Sequence, residues 1–174
     1  MATFEKIATV DVPAGGSVSI EFTNIPSTYT HFIAFSTVRH DGTNVNSAAR
    51  INNDSSSTTY IAGQSWMASN SVQPYDKQVI TGLWTRFLWS PGTDSGNSSS
   101  ASAGHMVAVD YSGSYPKNFH GDGVAPRVGC AWISAYWPGT NAVTQFNYYP
   151  LFNSVNTAKF VENSRMSLYG LKTS

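Results

Sequence analysis

The sequence predicts an all-β protein, an antiparallel β-sandwich of jelly-roll-like kind with about eight or nine strands. Three observations predict it. Apolar and polar residues alternate with a period of two in one segment after another, and no segment longer than a turn or two follows the helical repeat. Clusters of Gly, Pro, Asn and Ser separate those segments and read as turns.

The elements follow in chain order. A strand over Phe4 to Val12 runs into Pro13-Ala14-Gly15-Gly16, a turn that predicts a hairpin onto the next strand. There Val18, Ile20 and Phe22 alternate with Ser17, Ser19 and Glu21, the pattern of one buried face. Ile25-Pro26 ends it, because proline donates nothing to a ladder and holds the residue before it extended. Phe32-Ile33-Ala34-Phe35 is apolar at both parities, which places its strand in the middle of the sandwich. Further strands are expected at Arg50 to Asn52, Thr58 to Ala62, Val79 to Trp89, His105 to Tyr111, Arg127 to Tyr136, Val143 to Tyr149 and Met166 to Leu171. Asn53 to Thr59 and Pro91 to Gly104 are serine-rich and read as surface loops. Gly121 and Gly123 around Asp122 read as a tight turn.

The 174 residues are expected to form a single domain, residues 1–174, since the length leaves no room for two independent cores. Charged residues make up 11% of the chain, less than half the usual share of about 25%. Ser, Thr, Asn, Gln and Gly must then cover the surface, which suits packing against protein or binding sugar. Ten basic and ten acidic side chains cancel, so no field concentrates nucleic acid or anionic lipid, and both are excluded as partners. No apolar run approaches the length of a membrane span. Met1 to Lys6 lacks the apolar stretch of a signal peptide, so the protein is expected to be made in a reducing cytoplasm. The single cysteine, Cys130, stands among Val128, Ala131, Trp132 and Ile133 and reads as a small buried hydrophobe.

Aromatic residues carry the candidate contacts. Trp and Tyr stack on sugar rings and add a polar edge, so Trp66, Trp84, Trp89, Tyr136 and Trp137 form a candidate contact or glycan surface. The competing place for large rings is the space between two sheets, about 10 Å apart. Phe32, Phe35, Trp132 and Phe146 are assigned there. A metal reading rests on His120 and Asp122, with Asp110 or His105 converging on them. It has neither calcium-loop spacing nor a His/Cys cluster, and no metal site is expected. No catalytic residue or cofactor is expected either. The carboxylates, Glu5, Glu21, Glu162 and seven Asp, are scattered. Ser114-Tyr115-Pro116-Lys117 matches a Ser-x-x-Lys string without that class's companion motifs, and no nucleophile elbow or phosphate loop is present.

Four segments carry a resemblance. Phe22-Thr23-Asn24-Ile25-Pro26-Ser27-Thr28-Tyr29-Thr30-His31-Phe32 and Ser167-Leu168-Tyr169-Gly170-Leu171 are the clearest. Val109-Asp110-Tyr111 with Lys117, and Trp137-Pro138-Gly139-Thr140-Asn141-Ala142-Val143-Thr144-Gln145-Phe146, support them. The chain resembles small β-sandwich structural proteins of tailed bacteriophages, in which a strand leads into the Ile-Pro corner and the last strand ends as this one does. Leu171 stands where the family has isoleucine. Tyr29 is expected to pack over the corner with its hydroxyl on backbone, Leu168 to face the core, and Gly170 to admit a neighbouring strand. The resemblance implies a virion protein made in the host bacterial cytoplasm, and a capsid decoration (cement) protein first. Its partners would be the major capsid protein and further copies of itself, as a homotrimer, meeting through Met1 to Lys6 and the two serine-rich loops. The alternative is a tail-fibre or receptor-binding module that recognises host surface glycan.

Overall fold

Period-two alternation is realised as strands throughout, in a computed structural model that describes residues 3–42, 45–54, 60–68, 71–80, 85–90, 101–125, 129–151 and 158–172. The strands are β1 (Thr3–Asp11), β2 (Ile20–Phe22), β3 (His31–Val38), β4 (Val45–Ile51), β5 (Tyr60–Ala68), β6 (Ser71–Ile80), β7 (Thr85–Ser90), β8 (Ser102–Val109), β9 (Lys117–Ala125), β10 (Gly129–Trp137), β11 (Phe146–Leu151) and β12 (Arg165–Lys172). They pair antiparallel in two sheets, one ordered β1-β12-β3-β8-β9-β10-β5-β6 and the other β2-β11-β4-β7.

Eight of these strands make a jelly roll. Taken in chain order, β1, β2, β3, β4, β7, β8, β11 and β12 cross between the sheets at every step except from β4 to β7, which share the smaller one, so that β1-β12-β3-β8 lies opposite β2-β11-β4-β7. The remaining four are two inserted hairpins, β5–β6 between β4 and β7 and β9–β10 between β8 and β11. They continue the larger sheet beyond β8, which gives twelve strands where alternation marks about eight or nine.

The departures from sequence expectation have simple causes. Pro13 to Gly16 turns the chain, with Gly15 and Gly16 at φ of 87° and 77°, yet β1 pairs with β12 while β2 pairs with β11. The turn is therefore a corner between sheets and makes no hairpin. The stretch Val79 to Trp89 is divided between β6 in the larger sheet and β7 in the smaller. Gly121 and Gly123 lie inside β9; a Cβ at Gly121 would come 2.6 Å from the His105 carbonyl oxygen, so the glycine serves close strand approach. Thr3 to Lys6 belong to β1, bonded along β12, and Ser102 to Gly104 open β8. The rest of the two expected loops falls largely outside the described residues.

The core forms where the two sheets' inward faces meet. Ile20, Phe22, Ile51, Phe146 and Tyr148 come from the smaller sheet, and Phe32, Ala34, Met106, Ala108, Phe119, Ile133 and Leu168 from the larger. Phe32 touches both layers, 6.1 Å from the Phe146 ring and 5.0 Å, edge-on, from Tyr111. Tyr148 stacks on Phe160 at 5.4 Å. Four assignments change. Phe35, Trp132 and Val18 are about half exposed, and Cys130 is only partly buried.

The segments that carry the family resemblance meet at one end of the sandwich. Tyr111 is fully buried and its hydroxyl donates to the Pro26 carbonyl. The Tyr111 N–H donates to Thr30 (3.1 Å), Ser112 Oγ donates to the Tyr29 carbonyl (2.9 Å), and the Val143 N–H donates to the Tyr111 carbonyl (2.9 Å). Lys117 is fully buried too, its ammonium donating to the carbonyls of Gly113 (2.7 Å), Tyr115 and Thr140 (3.4 Å). Burial pushes its pKa down, and the charge of Asp110 pushes it back up. Tyr29 lays its ring on Gly170, where a Cβ would come 2.3 Å from the ring. Its hydroxyl donates to Glu5 Oε2 at 2.8 Å, a side chain where backbone was expected. Leu168 faces the core with no exposure.

Two outcomes follow. Burial raises the Tyr111 phenol from 10.0 to about 12, so the folded state keeps a proton that the unfolded chain loses. Stability should hold up to pH 10 and decline between there and about 12. Tyr111→Phe should flatten that decline, leaving the part due to buried Tyr148, and cost about 1–2 kcal/mol through the lost hydrogen bond. Denaturant titrations at stepped pH check both. Gly170→Ala should destabilise by about 1–3 kcal/mol because the Tyr29 ring has to shift. Combined with Tyr29→Ala, much of that penalty should vanish, which a double-mutant cycle measures.

Candidate functional site

Pleating sends alternate residues of a strand to opposite faces. In β10, Ile133, Ala135 and Trp137 are buried, which turns Trp132, Ser134 and Tyr136 to the far side. In β9 the buried Phe119 sets His120, Asp122 and Val124 outward; in β8 the buried Met106 and Ala108 do the same for His105, Val107 and Val109. On β3 the outward residues include Ile33 and Phe35. Most exposed large apolar side chains of the described residues stand on this face: Phe4, Phe35, Val109, Val124 and Trp132.

Register arranges them in a row. Phe35 is paired with His105, His105 with Asp122, and Asp122 with Trp132, so four neighbouring strands contribute one side chain each. His105 Nδ1 lies 2.8 Å from Asp122 Oδ1. A carboxylate only accepts, so the Nδ1 proton is the one donated, and the imidazole is held in one orientation. Both side chains keep solvent access, at 37% and 47%. The Phe35 ring is 6.2 Å from that imidazole and meets the Tyr169 ring edge-on at 5.9 Å. Phe4 stacks on Tyr169 at 4.9 Å, with the planes within 5° of parallel. An aromatic track therefore runs from β1 across β12 and β3 to His105, and Trp132 lies beyond Asp122. In the row beside it, His120 Nδ1 is 3.2 Å from Ser134 Oγ.

Of the five aromatics picked from sequence, Tyr136 lies on this outward face and is half-buried. Trp137 does not. It is 4% exposed, and its indole N–H donates to Asp54 Oδ2 at 2.8 Å, so it belongs to the core and to no glycan surface. Gly139 follows because its missing side chain makes room for the indole: a Cβ there would come 2.1 Å from that ring. Trp66 occupies β5 in register with Ala131, whereas Trp89 occupies β7 of the other sheet in register with Asn46. Their side chains, and all of Trp84, lie outside the described residues. The expected cluster is thus distributed over two sheets. Trp132 and Phe35 were assigned to the core, and His105 with Asp122 entered only as a metal reading, although β10 carried a signal. Ser134 is the polar residue at the Trp132 parity, and that parity is the wetter one.

The metal reading is dispersed in the same way. His105 and Asp122 meet, His120 turns to Ser134, and Asp110 sits in the turn after β8 at φ 49°. Among the described residues no three His, Cys, Asp or Glu side chains are placed to hold an ion. Elsewhere, a cleft of about 360 Å³ lies between Gly15–Gly16, Arg39–Asp41 and the chain from Lys159 to Asn163. Its wall is bonded to itself, Lys159 N–H donating to Asp41 Oδ1 at 2.7 Å.

No protein-family model matches the sequence, and no curated protein does. Among solved structures the chain is similar to an alginate lyase from Alteromonas sp.272, at 8% identity and a TM-score of 0.27, over 98% of this chain and 89% of that one. A likeness at that score carries no argument.

The two tryptophans of β10, Trp132 in mid-strand on the outward face and Trp137 at its end on the inward face, should behave oppositely. Trp137→Phe leaves Asp54 without its indole donor and should cost about 1–3 kcal/mol. Trp132→Phe should stay within about 0.5 kcal/mol of the parent, yet remove a component of tryptophan fluorescence that acrylamide quenches readily, which Trp137→Phe should leave in place. Equal costs, or equal quenching losses, would contradict the burial assigned to the two rings.

Proposed function

We propose that the protein is a structural component of a tailed-phage virion, a capsid decoration (cement) protein that works without catalysis, through protein–protein contacts. Its partners on this reading are the major capsid protein and further copies of itself, as a homotrimer, in particles assembled from protein made in the host bacterial cytoplasm. One observation supports it most. The four segments that resemble the phage family are all used in building a single corner, with Tyr111 on Pro26, Tyr29 on Gly170 and Lys117 on three carbonyls. Residues used for architecture suit a protein whose product is a shape.

The energetic case is one of repetition. At about 25 cal/mol per Å², some hundreds of Å² of apolar contact per copy add up over a shell, less the cost of ordering and association. With equal numbers of acidic and basic groups, attachment should depend only weakly on salt.

Virions lacking the protein should assemble and then release DNA at lower temperature or milder osmotic shock than complete ones. Labelling should place the protein on heads. If depleted virions are equally heat-stable but fail to adsorb to cells, the decoration reading is wrong and tail-fibre recognition of host glycan replaces it.

A further inference from the structure

We propose that the outward row Phe35, His105, Asp122 and Trp132 is a binding site for a neutral oligosaccharide. The site is independent of whether the protein sits on head or tail.

The chemistry of the row is that of an amphipathic, extended ligand. A hexose presents an apolar C–H face to a ring and hydroxyls at its edge. Phe35 and Trp132, both about half exposed, offer ring surface at the two ends. Between them the His105–Asp122 pair offers an oriented imidazole and a carboxylate, each reachable from solvent. Three strand spacings separate the end residues, about 14 Å, which suits a short chain and not a single sugar. Tyr169 and Phe4 continue the track past Phe35 toward β1.

A dry protein partner fits this row poorly. Asp122 stands in its middle, and interface centres are depleted in carboxylates because desolvating one is costly. A sugar hydroxyl replaces the water that the partner would strip. The charge pattern selects further. The histidine is matched by Asp122, and Arg165 at the border of the face is bonded to Asp11 at 2.5 Å. Lys6, paired with Tyr169, is a further cation at the β1 end of the track, beyond the four-residue row. Within the row itself the charge is matched, so a neutral glycan is favoured there over a uronate or sialylated one. The row is also not part of the jelly-roll frame alone: Asp122 and Trp132 come from the inserted hairpin β9–β10. Chemistry carried on an insertion into a common frame is the usual way in which one fold acquires a particular ligand.

The full chain is titrated with cellohexaose, maltohexaose and laminarihexaose at millimolar concentration, by calorimetry and amide NMR, with oligogalacturonate as the charged probe. Saturable binding of at least one neutral probe is expected, with shifts on β3, β8, β9 and β10. Trp132→Ala and Asp122→Asn should each weaken it about tenfold or more, with unchanged melting temperature, while Val18→Ser, off this face, should not. Three results overturn the proposal: no saturable binding to any neutral probe, tighter binding of oligogalacturonate, or affinity that survives Trp132→Ala. Self-association that Trp132→Ala abolishes also overturns it and gives the face to a second copy. Virion stability is unaffected by these outcomes, so the decoration reading stands or falls separately.

Discussion

One buried cation holds the rest of this structure in order. The hairpin β9–β10 leaves the jelly roll after Val109 and rejoins it before Phe146, and Lys117 lies between those two stems. Its ammonium takes carbonyls from the outgoing turn, Gly113 and Tyr115, and one from the returning chain, Thr140. Removing an ammonium from water costs several kcal/mol, and three aimed carbonyls with Asp110 nearby offset it only if both stems stay in place. The stems then fix Tyr111, which binds Pro26 and packs on Phe32, the ring that spans both layers. Order passes from one charge to the corner, and from the corner to the core.

That arrangement separates what folds the chain from what it shows to solvent. The frame needs the inward parity of each strand and the corner. The outward parity of β3, β8, β9 and β10 is left to other demands, and it is there that Phe35, His105, Asp122 and Trp132 line up. Trp137, at the end of β10, shows the other half of the division. Its ring is buried over Gly139 and its N–H is bonded to Asp54 beyond β4, so the insertion is tied to the jelly roll a second time. A row spread over both frame and insertion stays aligned because both ends of the insertion are tied.

Period-two alternation made the strand class and the layered architecture legible, while ring size placed Phe32 and Phe146 in the core and the closing Ser167 to Leu171 segment placed Leu168 there. Sheet membership was not legible, because Pro13 to Gly16 is the same turn chemistry whether the chain folds back on its neighbour or crosses to the opposite layer. Nor does an apolar run reveal where it is divided, as β6 and β7 divide Val79 to Trp89. Glycine misled for a related reason: in Gly121 it marks strands brought close together, and alone it looks like a turn. The site was hidden by residue type. Trp132 and Phe35 were placed in the core as large aromatics, when the parity set by Ser134 and His105 put them outside.

The two edges of the larger sheet constrain how copies can meet. β1 has one extra residue, Ile7, between Lys6 and Ala8 in its pairing with β12. On the opposite edge β6 shifts register against β5 between Gln64 and Trp66, and Pro74 falls in that irregularity. A bulge twists an edge and breaks its row of free N–H and C=O groups, and proline removes one donor outright. Strand-to-strand addition is therefore disfavoured at both ends of the sheet. Ile7, the bulged residue, packs against the core together with Ala8 and Val10 of the same strand. On the reading proposed above, association between copies would avoid the two edges of the larger sheet. Because the outward face carries an exposed carboxylate at its centre, desolvating it against protein is costly, whereas a hydrated ligand leaves that carboxylate its hydrogen bonds.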